Sequence, residues 1–311
     1  KEQDVADGNF PTVISPNPEE SEAMAMALSL GKEKDADIIL GTDPDADRVG
    51  IAVKNTKGKT VLLNGNQTAA VMFYYIMNKT ELKPNHFVAK TIVTSELIAE
   101  IAKYFNVKLY NTLTGFKYIA EVINLKYGKE EFICGGEESY GYLIGDKVRD
   151  KDAVMSAAML CETAAWAKSQ GKSFYDLLLD IYVEVGFYRE HLISITKKGK
   201  TGLEEIKAMM ESYRNNPPSE LGNIKVEAIS DYQLSVKSSL TSGAKETITL
   251  PQSNVIQFHL ADGSLITARP SGTEPKIKFY YSVKGELKSK ENFDSAWAEL
   301  GTKIETFSKD L

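Results

Sequence analysis

The stretch Gly41-Thr-Asp-Pro-Asp-Ala-Asp-Arg-Val-Gly50 restricts the fold of this chain more than any other. The apolar run Ala36-Asp-Ile-Ile-Leu40 ahead of it reads as a buried strand, which Gly41 and Pro44 end while forbidding a helix. Asp43, Asp45 and Asp47 are therefore expected on a tight loop at a strand end. Like charges this close push protons back onto one another unless a cation neutralises them. Hard carboxylate oxygens suit Mg²⁺, Mn²⁺ or Ca²⁺ rather than zinc. An EF-hand is excluded, because the positions that need Gly and a bidentate Glu hold Arg48 and Lys54. The competing reading is a solvated acidic turn with a structural Asp cap.

Before this loop, Ser15-Pro-Asn-Pro-Glu-Glu20 predicts a helix start, continued to Leu30 and stopped by Gly31. After it, Val49–Val53 and Val61–Leu63 around Asn55-Thr-Lys-Gly-Lys59 predict a hairpin. Helices predicted at 67–78, 95–105, after Gly115, 152–169 and 174–184 then alternate with strands at 87–93, 107–110 and 131–134. That alternation implies an α/β unit with a mostly parallel sheet covered on both faces. From Phe187 the texture changes to short strands with helices at 201–214 and 288–309, an α+β pattern.

A length of 311 residues accommodates two or three domains. The net charge of −6 argues against a nucleic-acid surface, which needs a clustered basic excess. Apolar runs such as Ala69–Phe73 fall far short of the ~20 residues that span a bilayer, so no membrane segment is expected. Two cysteines, Cys134 and Cys161, supply neither a disulfide framework nor a four-thiolate metal site, and a cytoplasmic location is the expectation. The chain opens Lys-Glu-Gln-Asp with no Met and no basic-then-apolar leader, and reads as a piece of something longer. His86, His191 and His259 fall among apolar neighbours on predicted strands, where structural roles are expected.

Three further loops carry chemistry. The strand ending at Cys134 runs into Gly135-Gly-Glu-Glu-Ser-Tyr-Gly141, placing Glu137, Glu138 and Ser139 at the carboxyl end of a strand, where open α/β sheets bind ligands. Carboxylates beside a hydroxyl suit the vicinal hydroxyls of a sugar; a solvated acidic turn is the alternative. Thr112-Leu-Thr-Gly-Phe-Lys117 opens a helix, where free N–H groups attract anions and Lys117 adds a charge, or where Thr114 is simply an N-cap. In Arg269-Pro-Ser-Gly-Thr-Glu-Pro275 a guanidinium fork, the hydroxyls of Ser271 and Thr273 and a turn at Gly272 converge as a phosphate would require. A plain Pro/Gly turn explains the Pro and Gly but not the rest.

In this order, the Asp43-x-Asp-x-Asp-Arg48 loop, the Thr114-Gly-Phe-Lys117 segment, the Gly136-Glu-Glu-Ser-Tyr-Gly141 loop and the Arg269-Pro-Ser-Gly-Thr273 loop resemble the α-D-phosphohexomutase superfamily, the phosphoglucomutases and phosphomannomutases. The resemblance spans nearly the whole chain. It implies residues 1–62 as the late part of domain 2, 63–187 as domain 3, and 188–311 as a TBP-like α+β domain 4. It makes Asp43, Asp45 and Asp47 Mg²⁺ ligands and gives Arg48 and Lys117 to the reacting phosphoryl group or proton transfer. It assigns Glu137 and Ser139 to the sugar hydroxyls, Thr114 and Gly115 to substrate binding, and Arg269, Ser271, Gly272 and Thr273 to the unreactive phosphate. The family's phosphoserine motif, of the Thr-x-Ser-His-Asn-Pro kind, does not occur here. The resemblance therefore implies a chain inactive without the family's N-terminal domains, which together would interconvert glucose 1-phosphate and glucose 6-phosphate through glucose 1,6-bisphosphate. Glu138 resembles the glucose-preferring branch. Phosphopentomutase, phosphomannomutase and a non-catalytic sugar-phosphate-binding module are the alternatives.

Overall fold

Every residue of the strand His86–Thr91 is buried, the pattern of a central strand covered on both faces. The computed structural model describes all residues except Lys1, Asp4, Ala6, Lys198 and Thr273, together with the side chain of Lys200. Contacts divide the chain into two units, Lys1–Val185 and Gly186–Leu311.

The first unit begins with α1 (Ala25–Glu33) and the strands β1 (Ile38–Thr42), β2 (Val49–Lys54) and β3 (Thr60–Leu63), which pair as an antiparallel sheet in the order β1-β2-β3. The predicted helix start at Ser15 is not used, and α1 runs through Gly31 rather than stopping there. The reason is packing: a Cβ on Gly31 would meet Ile39 Cδ1 at 2.2 Å, so the missing side chain lets β1 lie against the helix. Likewise β1 continues through Gly41, which pairs with Gly50.

There follow α2 (Gly65–Lys79), β4 (His86–Thr91), α3 (Leu97–Tyr104), β5 (Lys108–Thr112), α4 (Phe116–Lys126), β6 (Glu131–Gly136), β7 (Tyr142–Ile144), α5 (Ala153–Ser169) and α6 (Phe174–Glu184). The sheet order is β5-β4-β6-β7, with β4 parallel to both neighbours. The short β7 escaped the sequence reading and pairs antiparallel with β6 through Gly136↔Tyr142. Phe87, Phe116, Ile119, Ile123, Phe132 and Leu143 form a core cluster between α4 and the sheet. Each such side chain contributes about 1.5–3 kcal/mol on burial.

The second unit comprises β8 (Phe187–Thr196), α7 (Gly199–Asn215), β9 (Glu220–Leu221), β10 (Ile224–Asp231), β11 (Val236–Ser239), β12 (Lys245–Thr247), β13 (Ile256–Leu260), β14 (Leu265–Pro270), β15 (Lys276–Gly285), a 3₁₀ turn at Lys290–Asn292 and α8 (Phe293–Asp310). Its sheet runs β12-β11-β10-β13-β14-β15-β8, with β9 on β10. Tyr213 of α7 meets the rings of Phe258 and Phe279 edge-on, and Trp297 of α8 packs on Phe187, so both helices cover the sheet with aromatic contacts. His86, His191 and His259 all lie on strands.

Candidate active site

The acidic loop joins β1 to β2, and its shape is set by one carboxylate. Asp43, only 9% exposed, accepts the backbone N–H groups of Asp47 and Arg48 on Oδ1, each at 3.0 Å. Ala46 takes the left-handed conformation (φ 54°) to close this turn. Asp43, Asp45 and Asp47 thereby bring one oxygen each within 4.8 Å of one another, the single group of this kind among the described residues. Arg48 Nε lies 3.5 Å from both Asp43 Oδ2 and Asp47 Oδ1, and its Nη1 is 3.4 Å from Glu19. Asp47 Oδ1 is buried and has no hydrogen bond. Burial, reinforced by Asp47 and Asp45, pushes the Asp43 carboxyl above its ordinary range, against the Arg48 N–H bond that pulls it down. Three hard oxygens, one an orphan, fit a divalent cation of the Mg²⁺ type.

This loop is tied to two others in the same unit. Val49 N–H donates to the Tyr140 carbonyl at 3.1 Å, and Ala153 N–H, at the start of α5, donates to the Ala46 carbonyl at 3.0 Å. Tyr140 sits in the left-handed region (φ 66°), unusual for a bulky residue, and burial with the charge of Glu19 pushes its hydroxyl up to about 12. Glu137, 6% exposed, accepts the Gly115 N–H on Oε1 at 2.8 Å and so links the Glu137–Ser139 loop to the start of α4. Ser139 is half-buried beside it.

The start of α4 departs from the sequence reading. Its N-cap is Gly115 (φ 119°), not Thr114, and no side chain caps it. The Thr114 hydroxyl is instead buried with no partner. One N–H expected to face an anion, that of Gly115, is already taken by Glu137. Lys117 is exposed, with Nζ 5.0 Å from the Tyr118 ring centre.

Sequence reasoning missed a buried layer beneath these loops. Lys90, fully buried, donates to the carbonyls of Thr91 (3.3 Å) and Thr94 (3.0 Å) and to Glu96 (2.8 Å), so the β4 exit loop wraps its own ammonium. The hydroxyls of Thr91 and Thr94 both reach Glu138 Oε2, at 3.3 and 3.2 Å. Burial and the neighbouring Glu137 raise the Glu138 carboxyl, and the two hydroxyls hold it back. Lys151, just ahead of α5, was missed too; it pairs with Asp47 Oδ2 at 2.9 Å and Asp150 at 3.1 Å. Burial would lower its pKa, but the two carboxylates outweigh that and raise it. The available signals were Lys90 at a strand's carboxyl end and the charged run Arg149-Asp-Lys-Asp152 before a helix.

In the second unit, Arg269 is the penultimate residue of β14 and its Nη1 is 3.4 Å from the Tyr280 hydroxyl. Ser271 Oγ accepts the Glu274 N–H at 3.2 Å, and Ser271 N–H donates to the Lys276 carbonyl at 2.7 Å, closing the turn. A side chain on Gly272 would meet nothing within 4 Å, so the turn is open there. Thr273 lies outside the described residues. Arg269 stands directly across the ladder from Lys278, a like-charge pair that repels unless an anion lies between.

Residues 64–185 match the family described as phosphoglucomutase/phosphomannomutase, alpha/beta/alpha domain III, and residues 1–58 match its domain II. A phosphoglucomutase of Staphylococcus aureus strain USA300 is 41% identical over 298 residues, covering 96% of this chain and 53% of that protein. One from Staphylococcus epidermidis is 40% identical over 277 residues, covering 89% and 50%. The chain thus spans about half the length of these curated relatives. Among solved structures, the open form of the Paramecium phosphoglucomutase pp63/parafusin aligns with TM-score 0.66 at 19% identity, covering 94% of this chain and 50% of that one. A Burkholderia thailandensis phosphoglucomutase/phosphomannomutase family protein aligns with TM-score 0.60 at 16% identity, covering 97% and 52%. These two show the shared fold. No described helix is long and apolar enough to cross a membrane. Two domain descriptions of one family, met in order along the chain, and relatives at about 40% identity establish that the chain belongs to the α-D-phosphohexomutase superfamily.

Proposed function

We propose that this chain is the C-terminal part of a phosphoglucomutase, with residues 1–62, 63–187 and 188–311 contributing the end of domain 2, domain 3 and domain 4. The observation that carries the reading is the hydrogen bond from Val49 N–H, directly after the acidic loop, to the carbonyl of Tyr140, directly after Ser139, which supports a cation site beside a hydroxyl-reading site. Asp43, Asp45 and Asp47 would hold Mg²⁺, which when bound neutralises charge on a transferring phosphoryl group. Arg48 orients that group, and Lys117 contacts it or moves a proton. Glu137 and Ser139 accept and donate to sugar hydroxyls, with Thr114 and Gly115 beside them. Arg269, Ser271, Gly272 and Thr273 hold the phosphate that does not react.

In the full reaction a phosphoserine from the N-terminal domains donates its phosphoryl group to the 6-hydroxyl of glucose 1-phosphate. The resulting glucose 1,6-bisphosphate turns end for end and returns its other phosphoryl group to the serine, leaving glucose 6-phosphate. The site residues in this chain bind and orient; the serine does the bond exchange. Mannose and pentose phosphates are the competing substrates, and the cytoplasm is the expected location.

The test is a dehydrogenase-coupled assay of glucose 6-phosphate formation. The chain extended to the length of its relatives should turn over glucose 1-phosphate in preference to mannose 1-phosphate and ribose 1-phosphate, whose products, mannose 6-phosphate and ribose 5-phosphate, are followed by separate assays. The 311-residue chain should bind glucose phosphates without turnover. Turnover by the short chain would remove the phosphoserine from the scheme, and faster turnover of ribose 1-phosphate would make the protein a phosphopentomutase.

A further inference from the structure

Within the acidic loop, Asp43 and Asp47 each have one oxygen held by a hydrogen bond or lysine pair and a second that meets only the Arg48 guanidinium. Asp43 commits Oδ1 to two backbone N–H groups, leaving Oδ2. Asp47 commits Oδ2 to the Lys151 ammonium at 2.9 Å, leaving the buried Oδ1 without a hydrogen bond. Both second oxygens pair with the same Arg48 Nε at 3.5 Å, so they converge on one positive group, whose place a bound cation would take.

Lys151 is itself held in place. Its side chain is 16% exposed, and its stem lies where a side chain on Gly141 would be: a Cβ there would meet Lys151 Cδ at 2.3 Å. Its Nζ lies 5.4 Å from the Phe116 ring centre, and its backbone N–H is bonded to Asp150 at 2.8 Å. The next two residues are fixed as well, Asp152 N–H on the Tyr142 carbonyl and Ala153 N–H on the Ala46 carbonyl. Turning both Asp47 oxygens onto one cation would pull Oδ2 away from the Lys151 ammonium that holds it.

We infer that Lys151 is a positioning residue that keeps Asp47 monodentate and so makes the acidic loop select Mg²⁺ over Ca²⁺. Mg²⁺ demands an octahedron of oxygens at about 2.0–2.1 Å and retains waters, whereas Ca²⁺ takes six to eight oxygens at about 2.3–2.6 Å and accepts bidentate carboxylates. Two carboxylates restricted to one oxygen each suit the first ion. The inference rests on the cation-site reading above.

The test follows Mn²⁺ binding to the 311-residue chain by water-proton relaxation, with Mg²⁺ and Ca²⁺ as competitors. Lys151→Met keeps the stem and removes the ammonium. Loss of the charge alone raises the affinity for both ions by one factor, so the readout is the ratio of the Ca²⁺ Kd to the Mg²⁺ Kd. That ratio should fall at least about fivefold in Lys151→Met and be largely kept in Lys151→Arg, which still donates to Asp47. Melting curves of both variants check that the fold is retained. A ratio unchanged in Lys151→Met, with both affinities rising together, overturns the inference and leaves the cation site standing. A wild-type chain that binds none of the three ions fails at the first titration and overturns both.

Discussion

Replacing Gly65 by Ala separates two lines of reasoning by the sign of their outcome. Gly65 is the first residue of α2, behind the Asn64–Gln67 capping box, and its φ is not positive. From the sequence alone, Gly65→Ala should therefore stabilise the protein by about 0.4–1 kcal/mol through helix propensity and a less flexible unfolded chain. The structure reverses this. An ideal Cβ on Gly65 would lie 1.9 Å from the Glu138 carbonyl oxygen, 2.8 Å from its carbon and 2.9 Å from the Tyr140 nitrogen, all backbone atoms that no rotamer change can move. A close carbon–oxygen contact is about 3.3 Å, so α2 and the Glu137–Ser139 loop must part by about 1.4 Å. Overpacking of this kind costs about 1–3 kcal/mol, leaving a net loss of about 1–2 kcal/mol after the propensity gain. For a unit the size of Lys1–Val185 that corresponds to a melting temperature lower by roughly 2–8 °C. A loop displaced by more than 1 Å should also cost the full-length enzyme on the order of 10²-fold in turnover. Calorimetry or circular dichroism of the variant measures the first effect and the coupled assay the second. A variant that melts at or above the wild type would refute the packing argument.

Arg269→Ala should weaken glucose phosphate binding by roughly 10- to 150-fold, from the loss of a charge-assisted bond worth about 1.5–3 kcal/mol. Lys278→Ala should weaken it less, yet stabilise the ligand-free protein by up to about 1 kcal/mol because the repulsion with Arg269 disappears; titration calorimetry and melting curves read the two effects. Glu138→Gln tests this half-buried carboxyl by pH. Because the folded state raises this pKa above its ordinary 4.5, stability is lost as pH rises from the unfolded value through the folded one. The variant should therefore melt higher than wild type at pH 8 and equal to it at about pH 4, and a gap that widens toward acid would contradict the assignment. Ala46→Val places a β-branched residue at φ 54° and should cost about 1–2 kcal/mol while opening the acidic turn, seen as a lower melting temperature together with weaker Mn²⁺ binding.

Much of this molecule was legible in local chemistry. Pro44 among the acids of the acidic stretch marks a turn, although Gly41 and Gly50 beside it stay in the strands; period-two and period-3.6 patterns mark most strands and helices, and four polar loops fall at the ends of those elements. Each of these signals is carried by residues within a few positions of one another, so no tertiary information is needed to read them. Other features depended on neighbours remote in sequence. Gly31 reads as a helix stop until Ile39 is seen to need its space, and Thr114 reads as a cap until Gly115 is found in that position, bonded to Glu137. Lys90 and Lys151 are two ordinary lysines in the sequence. The folded loop after β4 wraps one ammonium in its own carbonyls, and the docking of the start of α5 on the acidic loop sets the other on Asp47, about a hundred residues away in the chain. Local patterning dictates which elements form, because backbone preferences act over a turn or two; which oxygen of a carboxylate is left to hold a ligand depends on contacts that exist only once the chain has closed on itself.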